Sequence, residues 1–338
     1  MEKLLSICIP TFNRAQILSR QLAWLFQEVQ DFSTECEIIV SDNCSSDNTP
    51  SVVEKWKSAS PAAFHFNRNS ENLGWLRNFA YCLNAANGRY TWIIGDDDVV
   101  YEGAVAEVIT TLKSRPDLSL FYLNFCERHA ITQAFNPDPW FKDVEEDAKL
   151  PDSKAIFQKH LEDNIGSVIF ISATIFRTQF GREAYQSWQD STNNWAGLAY
   201  WNGYCATKGN VLVTEKTFLE CTLGVSYWQK DPKAWFKIRH SDIPEVYAKL
   251  YEIGYPRKFC QKMILKILEE DLITEKPLKN IKYFLWCFRK APRWTSKMTI
   301  AYFRFLLFCT FDRGEIRGSA EMRMLKLSNA AEKVADSQ

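Results

Sequence analysis

The 338-residue chain has no run of the roughly 18–20 apolar residues that crossing a bilayer requires, and its ten cysteines include no C-x-x-C pair. The first absence leaves no candidate transmembrane helix. The second argues against a zinc ribbon and a compact disulfide framework, so free thiols in a reducing cytoplasm are expected. No G-x-G-x-x-G follows an early strand, which disfavours a dinucleotide-binding dehydrogenase. Charge of one sign is also lacking overall: 41 basic residues balance 41 acidic ones. A general nucleic-acid binder is therefore not expected. No internal repeat or low-complexity tract is present. The opening segment, MEKLLSICIPTFNR, carries too short an apolar run for a signal peptide and reads as a first strand.

Apolar residues make up 46% of the chain and aromatics 14%. At this length such a composition supports one large domain or two ordinary ones around a sizeable core. The first 125 residues alternate in period. LLSICI (4–9), CEIIVS (36–41), AFHFN (63–67), YTWII (90–94) and LSLFYLNF (118–125) read as strands. Segments 15–29, 48–58, 76–86 and 103–113 carry helical spacing, with Pro50 in the first turn of the second and Asn87-Gly88 ending the third. Strands alternating with helices of this length imply an α/β fold with a mostly parallel sheet covered on both faces.

In such a sheet, ligands sit beyond the carboxyl ends of the strands. Four polar clusters fall there: Thr11 to Arg14, Asp42-Asn43, Asn67 to Asn72, and Asp96-Asp97-Asp98. The fold expectation brings them together in space. Beyond residue 126 the pattern weakens. Segment 136–154 is polar, holds three prolines and reads as a loop or lid. SVIFISATIF (167–176) reads as a strong strand, 193–209 as a helix ending at Gly209, and 210–215 as another strand. After Pro232 the chain turns helical and basic.

Three adjacent carboxylates repel one another unless something cationic lies among them. Mg2+ or Mn2+ accepts oxygen ligands, often one or two carboxylates together with phosphates. A solvated acidic turn capping the helix near Gly103 is the plainer alternative. In an extended chain Asp96 and Asp98 share one face and Asp97 takes the other.

The stretches SICIPTFNR (6–14), EIIVSDNCSSDNT (37–49) and NLGWLRNFAYCLNAANGRYTWIIGDDD (72–98) stand in an order and spacing that resembles a GT-A-fold glycosyltransferase of family 2. The resemblance is clear over residues 1–115 and extends to about 220. It implies a GT-A domain over 1–225, with a donor half (1–125) and an acceptor half (126–225), followed by a helical, basic region at 226–338. It also implies a nucleotide-sugar donor and a saccharide or lipid-linked acceptor, in the synthesis of a cell-surface polysaccharide or glycolipid.

By the same resemblance Thr11, Asn13 and Arg14 lie along the nucleotide, Asp42 holds the base or ribose, and Arg77 and Asn78 lie nearby. The family's D-x-D-D spelling, aligned on Val99 and Val100, puts its first acid at Gly95. That assignment gives Asp96 to the donor and Asp97 and Asp98 to the metal, and leaves Gly95 as a departure that bears on metal dependence. The arginines offer planar donors to phosphate or a carbonyl edge, and Asp42 can accept from an imide N–H or a ribose hydroxyl. A surface ion pair for either arginine, and an Asx turn for Asp42, are the structural alternatives.

The family's catalytic base is expected at about 185–197, where Asp190 is the sole carboxylate, with inversion at the anomeric carbon. Asn193 and Asn194 sit nearer the start of the expected helix, where the family has acids, so Asp163, Glu162 and His160 remain alternatives. Trp188, Trp195, Tyr200, Trp201 and Tyr204 crowd the same region, where rings serve either the core or a sugar face.

Residues 276–326 carry 12 Lys or Arg against three acids. With the apolar stretch 298–311 this segment suggests a contact with an anionic membrane surface, so the protein is expected in the cytoplasm, peripheral on the inner face of the membrane. An ordinary helical subdomain or a homo-oligomer interface is the alternative. A catalytically silent relative that serves as a binding or assembly subunit is the competing functional expectation.

Overall fold

In the computed structural model, residues 3–224 and 231–273, with residues 296, 300, 303 and 304, are described. Residues 3–193 and 197–224 belong to one unit; 194–196 belong with the segment from 231 onward to a second.

The first unit is built on a nine-stranded sheet. β1 (Leu5–Thr11), β2 (Cys36–Asp42) and β4 (Tyr90–Ile93) are buried at every position, the mark of strands covered on both faces. β3 (Ala63–Arg68) has exposed and half-buried positions throughout, in keeping with its place at the sheet's edge. The order begins β3-β2-β1-β4, and each of these pairs is parallel. β1 leads on through β2 to β3, whereas β4 returns to the other side of β1. The β1/β4 border is thus a topological switch point, and sheets of this kind bind ligands beyond the carboxyl ends of the strands at such a point.

Between these strands run α1 (Ala15–Glu28), α2 (Thr49–Ser58) and α3 (Trp75–Ala85). α1 buries Leu18, Gln21, Leu22, Leu25 and Phe26, a helical stripe turned to the sheet. Gly88, after α3, is fixed by close approach: a Cβ there would stand 2.6 Å from the Ser6 backbone nitrogen.

After β4 come the short β5 (Val99–Val100), α4 (Ala104–Ser114), β6 (Leu118–His129) and β7 (Phe135–Asn136). Then follow α5 (Ser153–Asp163), α6 (Ile165–Ile169), β8 (Thr174–Arg177), α7 (Thr178–Ser187), α8 (Gly197–Ala206) and β9 (Asn210–Leu223). β8 is antiparallel to both β4 and β6, and β9 runs parallel to β6 and antiparallel to β5.

Two expectations beyond residue 126 change. The apolar run 167–176 is not one strand: it holds the end of α6, a 3-10 turn at Ile171–Ala173 and the start of β8. Asn164 caps α6 by accepting from the Gly166 N–H at 2.8 Å, and periodicity cannot separate a short buried helix from a strand. The expected 193–209 helix starts only at Gly197, after a 3-10 turn at Gln189–Asn193. Segment 136–154 is largely loop, with its contacts to the rest of the unit defined. Phe141 is buried, its N–H and C=O both bonded to the Asn124 side chain. A 3-10 helix covers Val144–Lys149, and Asp147 there pairs with Lys159 and His160 of α5.

The second unit contains α9 (Pro232–Lys237), a π-helical turn at Ile238–Asp242, α10 (Ile243–Glu252) and α11 (Arg257–Ile273). Asp242 is a joint within it, pairing with Lys237 at 2.6 Å and accepting the Trp195 N–H at 3.1 Å. The basic segment 276–326 lies outside the described residues apart from four isolated positions.

Candidate donor-binding site at the β1/β4 crevice

The last residue of β1 and the loop after β4 are joined directly. Thr11 Oγ1 donates to Asp96 Oδ2 at 2.6 Å. Arg14, at the N-cap of α1, places Nη1 2.7 Å from Asp96 Oδ1 and 2.8 Å from Asp97 Oδ2. Asp96 is 5% exposed and Asp97 32%, so Asp96 is sealed into the loop while Asp97 faces outward. Burial raises the Asp96 pKa even against the pull of Arg14 and Thr11. Burial also opposes the charge of Arg14, but Asp96 and Asp97 outweigh it and raise the guanidinium further.

Asp98 turns the other way. Its Oδ2 accepts from the Ser172 hydroxyl at 2.5 Å, and that hydroxyl accepts the Gly95 N–H at 2.8 Å. Burial, and next the charge of Asp97, push Asp98 up to about 7. Gly95 makes this turn feasible, because a Cβ there would lie 2.5 Å from Asp98 Oδ2.

The loop after β2 closes a second side. Asn13 adopts the left-handed region at φ 53°, which asparagine tolerates better than most residues. Its N–H donates to Ser45 Oγ at 2.8 Å, and its Oδ1 accepts the Ser46 N–H at 2.7 Å. Fully buried Asp42 accepts the Ser45 N–H at 2.9 Å through Oδ1, the Asx turn foreseen as its structural alternative. Its Oδ2 has Arg68 Nε 3.3 Å away, but among the described residues no aligned hydrogen bond reaches it. That oxygen is a buried acceptor with capacity for a ligand donor.

Asn78 and Arg77 separate by role. Asn78 is buried: its Oδ1 accepts from Ser41 Oγ at 2.6 Å and from Asn69 at 3.0 Å, and its amide donates to the Ser41 C=O at 3.0 Å. It fastens the ends of β2 and β3 together. Arg77 is exposed and donates to Asn193 Oδ1 at 3.0 Å. This joins α3 to the turn that carries Asp190, whose carboxyl is exposed. No hydrogen bond among the described residues links Asp190 to the aspartate cluster. Of the alternatives, His160 is buried against Asp147 at 2.8 Å and Asp163 is exposed. Trp188, Tyr200 and Trp201 are buried in the core, and Trp201 donates to Ser191 Oγ at 2.8 Å.

Ser172, Ser45 and Arg68 escaped sequence reasoning. The first depends on strand pairing: β4 and β8 pair Trp92 with Ile175, which leads the turn carrying Ser172 toward Gly95, and periodicity does not supply that register.

The donor set fits a hard divalent cation. It consists of carboxylate oxygens at a strand end: Asp96 and Asp97 share the Arg14 guanidinium, and Asp98 is held by the Ser172 hydroxyl. Among the described residues no three His, Cys, Asp or Glu side chains converge into a complete cage. A cation here takes one or two protein carboxylates and completes its shell with phosphate and water oxygens.

Comparison with known proteins bears on the family and the fold. Abequosyltransferase RfbV of Salmonella typhimurium is 38% identical over 117 residues, 35% of this chain and 35% of that protein. A GalNAc(5)-diNAcBac-PP-undecaprenol beta-1,3-glucosyltransferase of Campylobacter jejuni is 33% identical over 105 residues, 31% of this chain and 33% of that protein. The match thus spans about a third of the length of these curated relatives. Among solved structures, S. aureus TarS 1-349 in complex with UDP-GlcNAc superposes with a TM-score of 0.61 at 14% identity, covering 90% of this chain and 81% of that one. The mannosyltransferase PcManGT of Pyrobaculum calidifontis, in complex with GDP-Man and Mn2+, superposes with a TM-score of 0.52 at 16% identity, covering 99% of this chain and 81% of that one. These likenesses identify the fold as GT-A. The sequence model of Glycosyl transferase family 2 matches residues 6–176, half of the chain, and the chain belongs to that family.

Proposed function

We propose that the chain transfers a sugar from a nucleotide-sugar donor to a hydroxyl of a saccharide or lipid-linked acceptor, in the assembly of a cell-surface polysaccharide or glycolipid. The observation that carries this reading is the bonded cluster of Thr11, Arg14, Asp96 and Asp97 at the β1/β4 switch point. The names of the relatives support it: each is a transferase of a sugar residue.

In this proposal Asp42 Oδ2, which faces Arg68 without an aligned hydrogen bond, accepts from the base or ribose, and Asp96 contacts the ribose. Arg14 and Arg77 donate to phosphate, while Asp97 and Asp98 hold Mn2+ or Mg2+. A bound cation there offsets the charge that grows on the departing diphosphate. The acceptor oxygen bonds to the anomeric carbon as the carbon–oxygen bond to phosphate breaks. The electron pair leaves with the diphosphate, and the acceptor's proton passes to the Asp190 carboxylate. Attack opposite the leaving group inverts the anomeric centre.

Thermal-shift screening of UDP-, GDP-, CDP- and dTDP-sugars with and without Mn2+ tests the donor side. One nucleotide class is expected to raise Tm in a Mn2+-dependent way; no shift with any of them would defeat the reading. A second reading, a silent binding or assembly subunit, is favoured by one observation. By the resemblance Asn193 and Asn194 sit nearer the position where the family has an acid, and the Asn194 amide is spent on the Asp242 C=O and Glu245 within the second unit. Donor binding without transfer or hydrolysis would select it. We further propose that segment 276–326 holds the protein to anionic lipid at the inner face of the membrane. Flotation with anionic liposomes at low salt tests this, and absence of binding would rule it out.

A further inference from the structure

We propose that Ser172 is a positioning residue for Asp98: it reaches from the acceptor half to fix the carboxylate that faces the donor's cation. This rests on the reading of Asp98 as a cation ligand, and three independent features converge on it. The antiparallel β4/β8 ladder ends with Trp92 paired to Ile175, so the turn before β8 leads on toward the aspartate loop that follows β4. The turn is pinned there, because the indole of buried Trp92 donates to the Ser172 C=O at 2.7 Å. The hydroxyl is spent in both directions, accepting from the Gly95 N–H and donating to Asp98 Oδ2.

Gly95 completes the device. The space that a side chain would fill at position 95 is taken by the Asp98 carboxylate. The glycine that breaks the family's D-x-D-D spelling is therefore the residue that lets Asp98 fold inward. Among the described residues no other group bonds the Asp98 carboxylate. Its Oδ2 is held by Ser172, and its Oδ1 is the oxygen left to meet a cation. A hydroxyl that orients a ligating carboxylate acts through that ligand, and loss of such a partner weakens metal affinity.

The test titrates Mn2+ by EPR against the full chain with saturating UDP, and in parallel with GDP. Nucleotide affinity in EDTA and Tm are measured alongside. Ser172→Ala and Gly95→Ala are both expected to weaken Mn2+ binding by about tenfold or more, the first by freeing Asp98 and the second by displacing it. Nucleotide affinity in EDTA should stay at the wild-type value. Asp98→Ala separates the two levels. If it loses Mn2+ while both other variants keep wild-type affinity, the positioning role is overturned and the ligand reading stands. If Asp98→Ala binds Mn2+ as wild type does, or wild type binds none with either nucleotide, the ligand reading falls and the positioning role falls with it. A Ser172→Ala protein that loses metal-free nucleotide affinity to the same extent would place the residue in general packing, which also overturns the proposal.

Discussion

Arg14 and Asp96 close the β1/β4 crevice through one contact of 2.7 Å, and the same nitrogen of Arg14 lies 2.8 Å from Asp97. A single positive atom thus serves two carboxylates, one of them sealed from solvent. Arg14→Met removes that charge without removing much volume. It leaves Asp96 buried with only the Thr11 hydroxyl as partner. A lone buried carboxylate costs stability, here about 1–2 kcal/mol because the guanidinium is itself partly exposed. The expected result is a Tm lower by a few degrees and nucleotide-sugar affinity lower by about tenfold or more. Isothermal titration with the donor found in the screen, beside calorimetric melting, measures both.

Asp98 gives a pH dependence of defined sign. Its pKa is raised to about 7, first by burial and then by Asp97, whereas in the unfolded chain it is near the ordinary value of about 3.9. Its contribution to stability is complete below the unfolded value and is lost as pH rises through about 7. Melting in EDTA should therefore show wild-type Tm falling between pH 5 and pH 8 relative to Asp98→Asn, which carries no charge to bury. Parallel curves for the two proteins would refute the assignment.

Glu37 predicts the opposite slope. This buried carboxylate accepts from the Ser6 hydroxyl and from the Asn87 N–H at 2.6 Å, with His65 at 3.3 Å. Burial alone would raise it, but these donors outweigh burial and hold it below the usual range. Its contribution is present above the unfolded value of about 4.3 and is lost as pH falls through the folded one. Glu37→Gln should melt lower than wild type at pH 7, with the gap narrowing as the medium is acidified below about pH 4.

These contrasts show where the sequence is legible. β1, β2 and β4 are uninterrupted buried runs, and the helices between them carry plain stripes, so the parallel half follows from period, whereas the switch point appears only in the strand order. Thr11, Arg14 and the aspartates then meet because they end neighbouring strands. Ser172 stays hidden, because its contact depends on the β4/β8 register and on a turn inside an apolar run that reads equally as strand. The tightly bonded Asn78 and the exposed Arg77 are adjacent in sequence and look alike as polar candidates. Only the helix face they occupy tells them apart. Asp42 is intermediate: its Asx turn is visible in DNCSS, but the Oδ2 left without an aligned hydrogen bond is visible only once Ser45 and Arg68 have their places.

Asp190 is the residue on which turnover depends in the proposed transfer. It lies on the Gln189–Asn193 turn, which Arg77 ties to α3 through Asn193, and its exposed carboxyl is open to an incoming hydroxyl. Asp190→Asn preserves shape and removes the basic oxygen. Removing a general base lowers turnover by about 10²–10⁴-fold, and the donor's Kd should not change, because no contact links Asp190 to the donor cluster. Asp163→Asn, another exposed carboxylate from the same half, serves as the comparison and should retain activity. Full turnover in Asp190→Asn, with or without loss in Asp163→Asn, would move the base away from Asp190. The silent-subunit reading makes a different forecast for the same experiment: donor binding intact and no turnover in any of the proteins, wild type included.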